Sequence, residues 1–235
     1  MIPRSAIRTA ATAFWTAAGG RHAFGTPVDL EGAAVRSLPV AFHRVPNLNT
    51  TAVTEVLARF GIDAFGTGPS RFLRGCLVAD VGVGIVLIDS SDPVEEQRLT
   101  VAHEVAHFLL HYMAPRQRAI SLFGPNVIPV LGRIRRVSRS ELFASALRGV
   151  PIMPYRHAMV RDAERPTGVA AVMEAEADEL ALELLAPHDL VRSLPADPDA
   201  LAFRFGIPRH AASRLVEGQV GVVTTIGVEG LFGIR

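Results

Sequence analysis

Residues 92–113, DPVEEQRLTVAHEVAHFLLHYM, decide how the rest of the chain is read. They form one helical pattern with a marked start: Asp92 can cap it, Pro93 suits the first helical position, and Glu95 follows the cap by three residues. At about 100° per residue, Leu99, Ala102, Ala106, Leu109, Leu110 and Met113 fall on one apolar arc. His103, Glu104 and His107 begin at the edge of that arc. Histidines four apart lie one turn above each other, so both imidazoles can grip a single metal ion. Glu104, between them, can reach a water beside that ion.

H-E-x-x-H on a helix is the arrangement of zinc peptidases, with Glu104 as catalytic base. A catalytic zinc takes a third protein ligand and leaves one position open. His111 extends the spacing to HExxHxxxH, but on an uninterrupted helix it lies another turn, about 6 Å, further along the axis. It reads instead as a helix-end histidine interacting with the C-terminal dipole. A second helical pattern, Thr167 to Ala186, ends at Pro187 and offers Glu174, Glu176, Glu179 and Glu183. The last three project away from the apolar stripe, whereas Glu174 falls in it with Ala177, Ala181, Leu184 and Leu185. A carboxylate there costs several kcal/mol unless it is paired or metal-bound. Glu174 is therefore the expected third ligand and Glu176 the fallback, with Asp178 placed to orient a ligand histidine. Tyr155 and His157, in PYRHAMVRD, are the candidate donors to the oxyanion that peptide hydrolysis creates.

Elsewhere the pattern alternates helix and strand. Helices are expected over 4–18, stopped by Gly19-Gly20, over 29–37, and over 50–60 with Gly61 as stop. A strand spans 39–45. Residues 74–79 and 84–89 form a β-hairpin that leads into the metal helix, and its outer edge can hold an extended peptide by β-augmentation. Cys76, inside a strand, reads as a small buried hydrophobe. From Pro115 to Pro166 prolines and glycines break the pattern. There the arginine-rich run 133–139 reads as a solvated face, and Ser138 with Glu141 suggests a capped helix to Arg148. Residues 197–217 read as helix, tight turn, helix, and 218–235 as a glycine-rich, β-prone tail.

At 235 residues and 49% hydrophobic the chain is globular, and its net charge of +1 gives no general reason to meet nucleic acid or an anionic membrane. None of its 24 basic residues is lysine, a compositional bias more than a phosphate-binding design. A single cysteine excludes an intrachain disulfide and suits a reducing cytoplasm. No apolar run reaches the roughly 18 residues that span a bilayer. The opening AATAFWTAAGG is short and threonine-interrupted, so it reads as an amphipathic helix and not as a signal peptide.

TVAHEVAHFLLHY followed by E-x-x-A-D-x-x-A-x-E-L-L-x-P resembles the ImmA/IrrE-type, gluzincin-like metallopeptidases. The likeness is strongest over 93–113 and 172–187 and weaker over the hairpin and the helical pair. It implies an α+β fold with a zincin-like core, in which a small antiparallel sheet packs on the HExxH helix and on a second, glutamate-bearing helix. It implies His103, His107 and Glu174 as Zn2+ ligands and Glu104 as base. A peptidase domain over 1–190 is expected, with 114–166 as a long insertion, and a helix-turn-helix-like appendage and tail over 191–235. The implied partner is a protein substrate, such as a helix-turn-helix transcriptional repressor of a stress or mobile-element regulon. The competing reading is a DNA-binding or partner-binding regulator that keeps the metal site without significant proteolysis. Arg209, His210 and Arg214 on the second helix of the pair are few for a DNA reader, and Ala211, Ala212 and Leu215 read as packing surface, so nucleic acid is not expected.

Overall fold

The computed structural model describes residues 2–62, 69–139, 147, 149–162 and 166–218. Helix α1 (Arg4–Ala18) buries Ile7, Ala11, Phe14, Trp15 and Ala18 and stops at Gly19, whose φ of +94° suits only glycine well. Helix α2 (Leu30–Ser37) is capped by the Asp29 carboxylate, which accepts from the Gly32 amide. Strand β1 (Val40–Val45), helix α3 (Thr50–Ala58), strands β2 (Leu73–Asp80) and β3 (Val83–Asp89) and helix α4 (Val94–His107) follow. Apart from α4, each matches an element expected from the pattern, within a few residues at its ends.

The start and the end of the metal helix differ from expectation. Asp92 does not cap α4; Pro93 stands at the N-cap, and Asp92 Oδ2 instead lies 2.7 Å from the Arg161 guanidinium. Nor does the helix end at Met113. Phe108–Met113 widens into a π-helical turn and α5 (Ala114–Phe123) continues it, with Pro115 directly after the widened turn. Among the described residues, a 3-10 turn (Gly124–Val127) and a short helix, α6 (Ile128–Leu131), precede a strand that the sequence pattern does not predict, β4 (Tyr155–Val160). Helices α7 (Gly168–Leu185), α8 (His188–Arg192), α9 (Pro198–Phe205) and α10 (209–218) follow. The helix expected to run to Arg148 and the tail after Gly218 lie outside the described residues.

The sheet order is β1-β3-β2-β4. β1 runs parallel to β3, and β2 is antiparallel to both β3 and β4, so the sheet is mixed and not antiparallel as expected. The parallel pair is possible because α3 and β2 lie between its strands and supply the crossover. The hairpin has no free outer edge: β1 covers β3, and β4 covers β2.

Alternation along the strands divides the sheet's side chains between two cores. Leu77, Ala79, Val86 and Ile88 face the main core with α1, α2, α4, α7, α9 and α10, whereas Cys76, Val78 and Leu87 pack with Val53, Val56 and Leu57 of α3. On α7, Leu180, Leu184 and Leu185 are fully buried, each worth about 1.5–3 kcal/mol relative to exposure. Gly75 and Gly84 let α4 and its continuation approach the sheet: a Cβ at Gly84 would lie 2.8 Å from the Phe108 ring. The α9–α10 pair joins the main core through Leu201, Phe205, Ile207, Ala211 and Ala212. Arg98 of α4 ties down its turn by donating to the carbonyls of Gly206 (2.9 Å) and, on the other side, Val28 (2.8 Å). Among the described residues no helix is long and apolar enough to cross a membrane.

Candidate metal centre

Two helices meet at the site. Ala102 and Ala106 of α4 and Ala177 and Ala181 of α7 are fully buried, and such small side chains let the two helices pack closely. That packing places His103 and His107 opposite Glu174. His103 Nε2 lies 3.1 Å from His107 Nε2 and 3.2 Å from Glu174 Oε2, and His107 Nε2 lies 3.5 Å from Glu174 Oε1. Ligands about 2.0–2.1 Å from a tetrahedral ion are separated by roughly 3.3 Å, so these three side chains are spaced as the edges of such a site.

A fourth group comes from β4. His157 Nε2 is 2.9 Å from Glu174 Oε1, and the four residues His103, His107, His157 and Glu174 offer ligand atoms within 4.8 Å of one another. The His157 ring stacks on His107 with centroids 3.7 Å apart, and its Nδ1 lies 2.9 Å from Glu104 Oε2. Glu104 is wholly buried, and its other oxygen, Oε1, has no hydrogen-bond partner.

Behind the cluster, the nitrogens turned away from it are also engaged. Asp178 Oδ1 lies 3.0 Å from His103 Nδ1. On His107 Nδ1 the Tyr155 hydroxyl (3.1 Å) and His111 Nδ1 (3.0 Å) converge. Tyr155 thus contacts the imidazole nitrogen opposite the Nε2 that joins the cluster. His111 is not at a helix end, because the helix continues through the π-helical turn, and its Nε2 lies 3.3 Å from Glu176 Oε2. Glu176 is buried where exposure was expected: α1 packs along that side of α7, and the Ile2 amide donates to Oε1. Neither His111 nor Glu176 belongs to the group of four.

Burial and charge set the protonation of the cluster. Burial works against an ionised Glu174, but hydrogen bonds from His103, His107 and His157 outweigh it and hold the carboxyl well below its usual range. Burial likewise disfavours imidazolium, yet His103, bonded to Asp178 and Glu174, is raised to about 9. His157, beside Glu104 and Glu174, is raised to about 10. For His107 burial prevails, and it is lowered to about 4. Burial, reinforced by the charges of Glu104 and Glu174, keeps the Tyr155 phenol neutral.

The place of His157 was not legible from spacing, since 53 residues separate it from Glu104 and nothing between marks the return of the chain to the sheet. A weak signal exists in YRHAMV itself: a short run holding an aromatic and a β-branched residue beside a histidine.

Residues 58–147 match the family model Peptidase_M78, described as the IrrE N-terminal-like domain. The match takes in β2, β3 and α4, with both histidines and Glu104, and stops before β4 and before α7 with Glu174. No curated protein matches the chain. The H-E-x-x-H helix lies inside the matched stretch and a side-chain group able to hold a metal is built around it, so over residues 58–147 the chain is similar to the Peptidase_M78 family of IrrE N-terminal-like domains.

Proposed function

We propose that the protein is a zinc-dependent endopeptidase that cleaves a protein partner. The observation that carries this reading is the spacing of His103 Nε2, His107 Nε2 and the Glu174 carboxylate, 3.1–3.5 Å from one another, with Glu104 alongside. When bound there, zinc supplies Lewis acidity that polarises the scissile carbonyl and makes a water more acidic. A buried carboxylate oxygen without a partner, Glu104 Oε1, fits such a site better than it fits a packed core.

Glu104 takes the proton from the attacking water and delivers it to the leaving amine. Asp178 accepts from His103 Nδ1 and so turns the Nε2 lone pair towards the cluster. Tyr155 and His111 hold the His107 ring from behind in the same way. A helix-turn-helix repressor of a stress or mobile-element regulon is the substrate that the family resemblance supports, and a cytoplasmic setting suits a chain with one buried cysteine, Cys76.

Glu104→Gln tests the reading. The variant should keep its zinc and lose about 10²–10⁴-fold in cleavage of the repressor candidate. Full biological activity in Glu104→Gln, with zinc retained, would instead favour a regulator that does not depend on proteolysis.

A further inference from the structure

A peptidase centre needs an open coordination position and a base that water can reach. In this structure β4 denies both. Four side chains converge where catalytic zinc sites use three and structural ones use four. Glu104 is 0% exposed, and its Oε2 is occupied by His157 Nδ1 at 2.9 Å.

The strand that brings His157 in is attached along one side. Among the described residues β4 pairs only with β2, His157 opposite Leu77, and none of its residues is fully buried. Its far end is pinned by Arg161, whose guanidinium lies 2.9 Å from Asp89 and 2.7 Å from Asp92, the residue just ahead of the metal helix. Were β4 to leave, two things would become available together. The metal position held by His157 would open, and β2 would present a bare row of main-chain donors and acceptors beside it. An extended peptide is the natural occupant of such an edge, because it restores the same ladder bonds.

We infer that β4 is a resident latch: His157 is a fourth protein ligand that also sequesters Glu104, and the centre opens when an extended segment of a protein substrate takes the place of β4 along β2. This rests on the zinc-peptidase reading. Entry of the substrate strand and exposure of the base are then one event, so the resting enzyme is closed to peptides that cannot pair with β2.

The full chain loaded with cobalt(II) in place of zinc tests this, with azide as a small probe of an open position and visible absorption as readout. Wild type should take azide poorly, and His157→Ala should bind it at least about tenfold more tightly and cleave peptides faster. Arg161→Ala leaves all four ligands in place and frees the end of the strand. It should show intermediate azide binding and faster hydrogen exchange over 155–160, which keeps the test sharp if His157→Ala does not fold. Equal azide binding by wild type and His157→Ala overturns the latch, as does an Arg161→Ala protein with unchanged azide binding and exchange. Slower cleavage by His157→Ala with unchanged azide binding makes His157 an oxyanion donor and also overturns it. A wild-type protein that takes up no cobalt defeats the zinc-peptidase reading itself; one that loads cobalt and binds azide freely defeats the latch alone.

Discussion

His103 Nδ1 and Asp178 Oδ1 lie 3.0 Å apart, and the other oxygen of the same carboxylate accepts from Arg214 of α10 at 3.0 Å. A residue of the C-terminal helical pair thus touches a candidate metal ligand through a single side chain. Asp178→Ala should weaken metal binding about 10–100-fold, read by competition with a chromogenic chelator. Arg214→Ala should cost far less, because the Arg214–Asp178 pair is half exposed and such pairs contribute about 0–1 kcal/mol. Equal losses in the two variants would mean that Asp178 acts through its ion pair and not through the imidazole.

The two glutamates of α7 should separate cleanly. Glu174→Ala removes a carboxylate that touches three imidazoles and should abolish stoichiometric metal uptake. Glu176→Ala should keep the metal but leave the buried His111 Nε2 without its acceptor, a loss of about 1–3 kcal/mol in denaturant unfolding of the metal-free protein. Metal retained by Glu174→Ala and lost by Glu176→Ala would reassign the third ligand.

Metal uptake should depend on pH with a definite sign. In the metal-free protein His103 (raised to about 9) and His157 (raised to about 10) carry protons at neutral pH, while His107 (lowered to about 4) does not. Ligand nitrogens must be neutral, so protons compete with the metal and affinity should rise as pH increases towards about 10. Calorimetric titration at pH 7 in buffers of different ionisation enthalpy should show release of roughly two protons per metal bound. Release of none would mean that the cluster is already neutral before loading.

Gly75 should tolerate no side chain. A Cβ there would lie 2.4 Å from Thr100 Cγ2 and 3.3 Å from Glu104 Oε1, so Gly75→Ala should cost about 1–3 kcal/mol through overpacking. Thr100→Ser removes the methyl concerned, and the double variant should recover part of that loss in thermal unfolding. No recovery would place the strain in the strand and not at the helix.

Much of the architecture was legible because its determinants are local. The apolar arc of 92–113 marked α4, the stripe through Ala177, Ala181 and Leu184 marked α7, and Asp29 and the glycine pair at 19–20 marked helix ends. The same stripe singled out Glu174, since a carboxylate among alanines and leucines calls for a partner. What spacing could not give was the path of the chain between those helices. YRHAMV has too little periodicity to declare itself a strand, and it becomes one because β2 offers it an edge. Asp92 looked like a cap until Arg161 came within reach of it across the fold.

The sequence by itself therefore determined the motif, the two helices that carry it and the residues on their facing stripes, because helical periodicity is written in three- and four-residue steps. Only the tertiary structure decided what stands around His107. A π-helical turn carries His111 on to Glu176, and an edge strand brings Tyr155 and His157 to its two sides. Those contacts join residues far apart in the chain, and their geometry is set by strand pairing and helix packing that no local pattern records. Helix α4 supplies two histidines and a glutamate; the fold supplies the side chains that close over them.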